Sequence, residues 1–257
     1  MSMLLNALLL VLREVLEAAV LLGLLWNYSK LADLPRRWVI PAGLVGGIVA
    51  MCYAAALEVV SDWWDGSGQE RISAALHLAV YVPVVVLGWG LYRPLQSRIV
   101  LLAMGLVFVA ASVREGSEIL IYVGAFIHAP GVKSAVFSGA LIGAGIGVSS
   151  GILVSAFLGT LAPRNARTWV GMCLILVASG MMLQAVALLD QAGLVAHSTK
   201  AFDAERWLPE QSVLGQLLYA VLGYDSQPSG LQLGVYLVSF SIAYGTVWLA
   251  KRSTTHD

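Results

Sequence analysis

"LREVLEAA", residues 12–19, places one arginine and two glutamates inside a run that is otherwise apolar from residue 3 to residue 26. "VREGSEIL", residues 113–120, repeats the arrangement inside the run 99–127. A charged side chain at the centre of a bilayer costs about 2.5–3.5 kcal/mol on insertion scales. Two apolar runs that each carry three such residues must therefore turn them away from lipid and toward other helices.

The composition explains why lipid is the relevant solvent. Hydrophobic residues make up 59% of the chain, charged residues only 12%, and the mean hydropathy is +0.82, whereas soluble domains carry about 25% charge. Seven runs, near 3–26, 39–60, 72–92, 99–127, 135–161, 168–191 and 231–250, are long enough for a core that needs about 20 helical residues. The expected fold is an all-α polytopic membrane protein with seven transmembrane helices. The first run lacks a basic leading segment and carries charge where a signal peptide is apolar, so it is expected to stay in the mature chain. The formal net charge is zero and no basic patch is interleaved with aromatics, which sets nucleic acid aside. Cys52 and Cys173 lie in apolar runs without CxxC spacing and read as small core hydrophobes.

Orientation follows from the basic residues of the short loops, which are retained on the cytoplasmic side. Lys30, Arg36, Arg37, Arg93, Arg98, Arg164, Arg167, Lys251 and Arg252 all fall on one side, against Arg71, Lys133, Lys200 and Arg206 on the other. The N-terminus is expected outside and the C-terminus in the cytoplasm. Helices 1 and 4 then run in opposite directions, and their motif arginines stand 101 residues apart. The chain divides into a first three-helix repeat (1–93), an inverted second repeat (94–193), an outer-face loop with a short amphipathic or re-entrant helix at 207–222 (194–230), and helix 7 with a cytoplasmic tail (231–257). Gly43 and Gly47 in helix 2, and Gly139, Gly143, Gly147 and Gly151 in helix 5, are spaced for close helix packing.

Each charged motif reads RExxE. At 100° per residue the arginine and the second glutamate stand about 40° apart and the two glutamates about 60° apart, so all three share one helix face. Arg13, Glu14 and Glu17 can thus meet Arg114, Glu115 and Glu118 near the midplane. If the arginines served only to neutralise glutamates, each motif would still hold one carboxylate too many. Two guanidiniums against four carboxylates leave a net charge of −2, which asks for a cation. Oxygen ligands of this hardness suit Fe³⁺, Mn²⁺, Mg²⁺ or Ca²⁺, and charge counting alone does not choose between Fe²⁺ and Fe³⁺.

At these motifs the sequence resembles the oxidase-coupled iron permease family, which includes the fungal high-affinity iron permease and bacterial iron-uptake permeases. The stretch "WLPEQSVLGQLLYAVLGYDSQPSGLQ", residues 207–232, is similar to the family's segment before its last helix. The resemblance implies seven helices and a permease that imports iron through the two motifs, with Glu14, Glu17, Glu115 and Glu118 as metal ligands and Arg13 and Arg114 as motif arginines. It also implies iron as transported substrate rather than bound cofactor, and delivery as Fe³⁺ by an extracytoplasmic ferroxidase or iron-binding partner. The implied location is the bacterial inner membrane. Val15 and Ser117 stand where the family usually has glycine and leucine. The main alternative is a proton-coupled transporter of another divalent cation, such as Mn²⁺, using the same carboxylates.

Other polar residues mark a pathway less strongly. Asp62, Asp65 and Glu70 are expected at an outer entrance, with Glu58 near the outer end of helix 2; His77 in helix 3 and Met181, Met182 and Gln184 in helix 6 stand near mid-membrane. Enzyme readings fail. "GVSSG" at 147–151 lies in an apolar helix instead of a strand-to-helix elbow, and no HExxH is present.

Overall fold

The computed structural model describes residues 2–129, 131–195 and 198–253; the end of the expected tail, 254–257, lies outside them. The described residues form ten α-helices: α1 (Ser2–Leu31), α2 (Val39–Ala55), α3 (Leu57–Ser61), α4 (Trp63–Gly66), α5 (Gly68–Gly90), α6 (Ser97–Ala125), α7 (Lys133–Thr160), α8 (Pro163–Gln191), α9 (Val213–Leu222) and α10 (Gly230–Ser253). Six of them are long and apolar enough to cross a membrane: α2 with the short turn before it, α5, α6, α7, α8 and α10. Helix α1 has 30 residues; its three motif charges fall near its centre and leave no long uncharged stretch on either side, whereas the triplet of α6 falls toward its end.

The second apolar run does not continue as one helix to residue 60. Helix α2 ends at Ala55, and α3 and α4 carry the chain through a reversal in which Trp64 and Asp65 adopt left-handed backbone. The run stays apolar across the break, so hydropathy carries no sign of it. Glu58, expected near the end of helix 2, therefore stands exposed in α3 instead.

Small residues set which helices touch. Gly139, Gly143, Gly147 and Gly151 of α7 are buried, and a Cβ at any of them would run into α1 at Leu4, Leu8, Val15 and Ala19 respectively. The two helices run parallel at a spacing no larger side chain would permit. Asn27 locks the seam, its amide donating to Ser155 O (3.0 Å) and Ser155 Oγ (2.9 Å). The α2–α6 seam is built the same way, from Gly43 against Phe108, Gly46 against Ser112 and Gly116 against Ala50. Here the expected Gly43–Gly47 spacing needs correction. Gly46 is the buried contact, while Gly47 is exposed and a Cβ on it would meet nothing.

Helix α1 also packs on α6 and α8, α5 packs on α6 and α8, and α10 lies against α8 and α5. Leu21, Leu24, Leu25, Leu87, Met104, Val107 and Leu174 are fully buried at their common centre. The outward faces are just as apolar: Leu44 and Ile48 on α2, Leu141 and Leu153 on α7, and Leu237 and Ile242 on α10 are exposed. A bundle that is hydrophobic on both sides is suited to lipid, where packing of small residues and a few polar links, rather than burial from water, hold helices together.

Candidate metal centre

The two motifs meet. Arg13 pairs with Glu118 (Nη2 to Oε2, 3.9 Å) and Arg114 with Glu17 (Nη1 to Oε2, 3.6 Å). As position rises along α1 its partner falls along α6, so the two helices cross antiparallel. Ser29, whose hydroxyl lies 3.5 Å from Met104 Sδ, extends this register toward the other end of α1.

Glu14, Glu17 and Glu115 are buried, and one carboxylate oxygen from each lies within 4.8 Å of the others. Glu118 stands beside them with its side chain 30% exposed. The arginines divide the work unequally. Arg13 gives Nε (2.8 Å) and Nη2 (2.6 Å) to one oxygen of its neighbour Glu14 and is itself 35% exposed. Arg114 is buried; its Nη1 reaches both oxygens of Glu115 (2.7 and 2.9 Å) and lies 3.9 Å from Glu14, while its Nη2 lies 3.2 Å from Glu118. Two atoms of one guanidinium thus face all four carboxylates.

Even so, the cluster is not satisfied. Glu14 Oε2, Glu17 Oε1 and Arg114 Nε are buried without a hydrogen-bond partner. Three carboxylates this close and this dry cannot all remain ionised unless a proton or a further cation joins them. The oxygens left open belong to Glu14 and Glu17, and they point to a hard cation held by carboxylates.

Helix α9 closes one side of the cluster. The Arg13 guanidinium lies over the Tyr219 ring, 5.2 Å from its centroid, and α9 packs against both α1 and α8. Gly223 ends α9 in left-handed backbone and meets Gly180, near the middle of α8, with no room for a Cβ on either residue. The short helix therefore enters the bundle instead of lying across its end. Its start is capped by Ser212, which accepts from the Gly215 N–H (2.9 Å). The strap around it is tied by Tyr224, donating to Leu208 O (2.8 Å), and by Glu210, accepting from Ser226 N (2.8 Å) and Oγ (3.2 Å). Burial, with the nearby Asp225 charge, pushes Glu210 above the ordinary carboxylate range, against the Ser226 hydrogen bonds that pull it down.

The entrance residues fall into two groups. Asp62 and Asp65 are exposed at the left-handed turn, and Glu58 is exposed in α3. Glu70 lies deeper, at the start of α5, with Oε2 buried and unpartnered. The Tyr53 hydroxyl is likewise buried without a hydrogen-bond partner. Tyr53 had no signal in the sequence, where it is one aromatic in an apolar run. His77 is held at both ring nitrogens, Nδ1 to Ser73 O and Nε2 to Gln184 Oε1, both at 2.7 Å. If Nδ1 carries the proton, Nε2 must accept, and the Gln184 amide then presents its NH₂ group. Either way the pair links α5 to α8. Met181 is buried in the α8 core.

Comparison with known proteins finds relatives among iron permeases. Residues 103–253 match the sequence model of the iron permease FTR1 family. The chain is 26% identical over 269 residues to the ferrous iron permease EfeU of Yersinia pestis, an alignment covering 94% of this chain and 92% of the relative. It is 24% identical over 256 residues to the ferrous iron permease EfeU of Escherichia coli O6:K15:H31, covering 90% of each. No solved structure matches. The family match spans more than half of the chain, including the second motif and the α9 strap, and the chain belongs to the iron permease FTR1 family.

Proposed function

We propose that the protein is a transporter rather than an enzyme, and that it imports iron across the membrane through the carboxylate cluster between α1 and α6. The observation that carries this reading is the meeting of Glu14, Glu17 and Glu115 within 4.8 Å in a buried setting, with open oxygens on Glu14 and Glu17. Two relatives are named ferrous iron permeases. On that ground we assign Fe²⁺ as the ion inside the site; it would cancel the −2 of four carboxylates and two guanidiniums, whereas Fe³⁺ would leave +1, and charge alone does not choose between them. Delivery by an extracytoplasmic ferroxidase or iron-binding partner would instead present Fe³⁺ to the same carboxylates.

In this reading α1 is the seventh span. Thirty helical residues reach about 45 Å, and its charges face α6 rather than lipid. The packing supports two inverted three-helix repeats, α1–α2–α5 and α6–α7–α8. Exchanging the repeats turns the α1–α7 seam into α6–α2 and the α5–α6 contact into α8–α1, and all four are present. The orientation we assign puts α9 and the α3–α4 turn outside and the basic loops in the cytoplasm, in the bacterial inner membrane. Iron enters by Glu70 and Tyr53, past Glu118, with Asp62 and Asp65 at the mouth.

Two experiments test the reading. Purified protein in proteoliposomes is expected to move ⁵⁵Fe²⁺ with little competition from equimolar Mn²⁺; Mn²⁺ uptake at an equal rate, driven by a proton gradient, would favour the divalent-cation alternative. Single cysteines at Asp65 and Ser97 are expected to react from opposite sides, Asp65→Cys with an impermeant thiol reagent on intact cells and Ser97→Cys only after permeabilisation. Labelling of both from the same side would overturn the topology.

A further inference from the structure

On the face of the bundle opposite α9, the ends of α1, α5, α6 and α8 enclose a cavity of about 320 Å³. Its lining includes Tyr28, Tyr92, Arg93, Ser97 and Arg167, and none of the described residues that line it is a carboxylate. Tyr28 forms the floor. It is completely buried, its hydroxyl has no hydrogen-bond partner, and that hydroxyl rests against the bare Cα of Gly90, where a Cβ would come within 2.6 Å. A phenol buried without a partner costs free energy unless something supplies an acceptor. Ser97 opens α6, whose N-terminus has no side-chain cap, so the first amide N–H groups of a 29-residue helix add to the positive field. Two guanidiniums, a helix N-terminus and an orphaned donor all favour an anion. None of the described lining residues offers a carboxylate to a metal ion, so the site is distinct from the carboxylate cluster and does not rest on that assignment.

Tyr92 is shared with a second space of about 380 Å³, an open groove between α8 and α10. Trp169, Met172, Val247 and Trp248 wall it with apolar surface, and Lys251 stands at its mouth with Nζ 6.0 Å from the Tyr92 ring. The indole of Trp248 carries Arg252 at 3.8 Å. Tyr92 borders both the anion pocket and the apolar, outward-facing groove, and that pairing matches a ligand with a charged head and a long hydrocarbon tail.

We propose that this is a binding site for one anionic phospholipid, its phosphate in the pocket formed by Arg93, Arg167 and Tyr28 and an acyl chain in the α8–α10 groove. The same lipid would tie the basic loops to the end of α10 and so brace the bundle on this face.

Native mass spectrometry of the detergent-purified protein, given an equimolar mixture of phosphatidylglycerol and phosphatidylcholine, tests the proposal. Wild type is expected to retain one phosphatidylglycerol in preference. Losing each guanidinium should lower retention about fivefold, so the Arg93→Gln/Arg167→Gln double variant should lose most of it. Val247→Trp fills the groove without changing charge and should also release the lipid, and Tyr28→Phe should weaken retention with the fold intact. If the double variant does not fold, these two single variants decide. Equal retention of the two lipids, or wild-type retention in Val247→Trp and Tyr28→Phe, overturns the proposal. Thermal protection by inorganic phosphate equal to that by phosphatidylglycerol, unaffected by Val247→Trp, would identify a free-phosphate pocket and overturn the lipid assignment.

Discussion

Glu17→Gln and Glu115→Gln are each expected to lower iron uptake by roughly 30- to 1,000-fold, the equivalent of about 2–4 kcal/mol for removing one partner of a buried charge cluster. Glutamine keeps the volume of the side chain, so packing at these buried positions is preserved while one negative charge is lost. The site needs that charge because an ion leaving water must recover its hydration energy from ligands already in place. Glu14→Gln belongs with them, since its Oε2 is one of the two open carboxylate oxygens. Glu118→Gln should cost less in affinity, because that side chain is partly exposed and water can replace what it loses. The measurement is ⁵⁵Fe uptake in proteoliposomes, with gel filtration to confirm folding. Uptake near the wild-type rate in a monodisperse Glu17→Gln protein would mean that iron does not pass through this cluster.

Much of that site can be read without coordinates, because a charge inside an apolar run has few places to go. Arg13, Glu14 and Glu17 had to face another helix, and the matching triplet on an oppositely directed run named the partner. Glycine spacing in α7 was equally informative, since four glycines at one interval mark a single stripe. In α2 the pair Gly46–Gly47 defeats that logic. Adjacent residues point about 100° apart, and only the position of α6 decides which glycine is buried. The turn at Trp64 and Asp65 lies in the polar, glycine-rich stretch after the second run, which reads as a loop; composition does not tell that Trp64 and Asp65 join Gly66 in left-handed backbone.

What sequence conveys least is contact between parts of the chain that share no pattern. Tyr219 lies more than 200 residues from Arg13, yet its ring lies over that guanidinium. The sequence suggested a short amphipathic or re-entrant helix at 207–222, and the structure places its helical part at Val213–Leu222, but nothing in its composition says which tyrosine it would bring to the motif. His77 and Gln184 are similar. Each looked like an isolated polar residue near mid-membrane, and each is explained by the other.

The unequal settings of the two arginines lead to the second large effect. Arg114 is buried and faces Glu14, Glu17, Glu115 and Glu118 through two nitrogens, whereas Arg13 is 35% exposed and holds mainly Glu14. Arg114→Ala leaves buried carboxylates unopposed and is expected to cost about 3–5 kcal/mol of stability, read as a lower unfolding midpoint in detergent. Arg13→Ala should cost clearly less, because solvent can reach Glu14's partner site. Arg114→Lys keeps the charge but places a single ammonium where two nitrogens 2.7 and 3.2 Å from different glutamates are needed. It should fold and transport at about a tenth of the wild-type rate or less, a loss of about one hydrogen bond to a charged group. A cycle separates structure from transport. Adding Glu115→Gln to Arg114→Ala removes a charge left without its partner, so stability should recover in part while uptake stays absent. Equal destabilisation by Arg13→Ala and Arg114→Ala would show that burial does not set the roles of the two arginines, and full transport by Arg114→Lys would reduce Arg114 to a point charge.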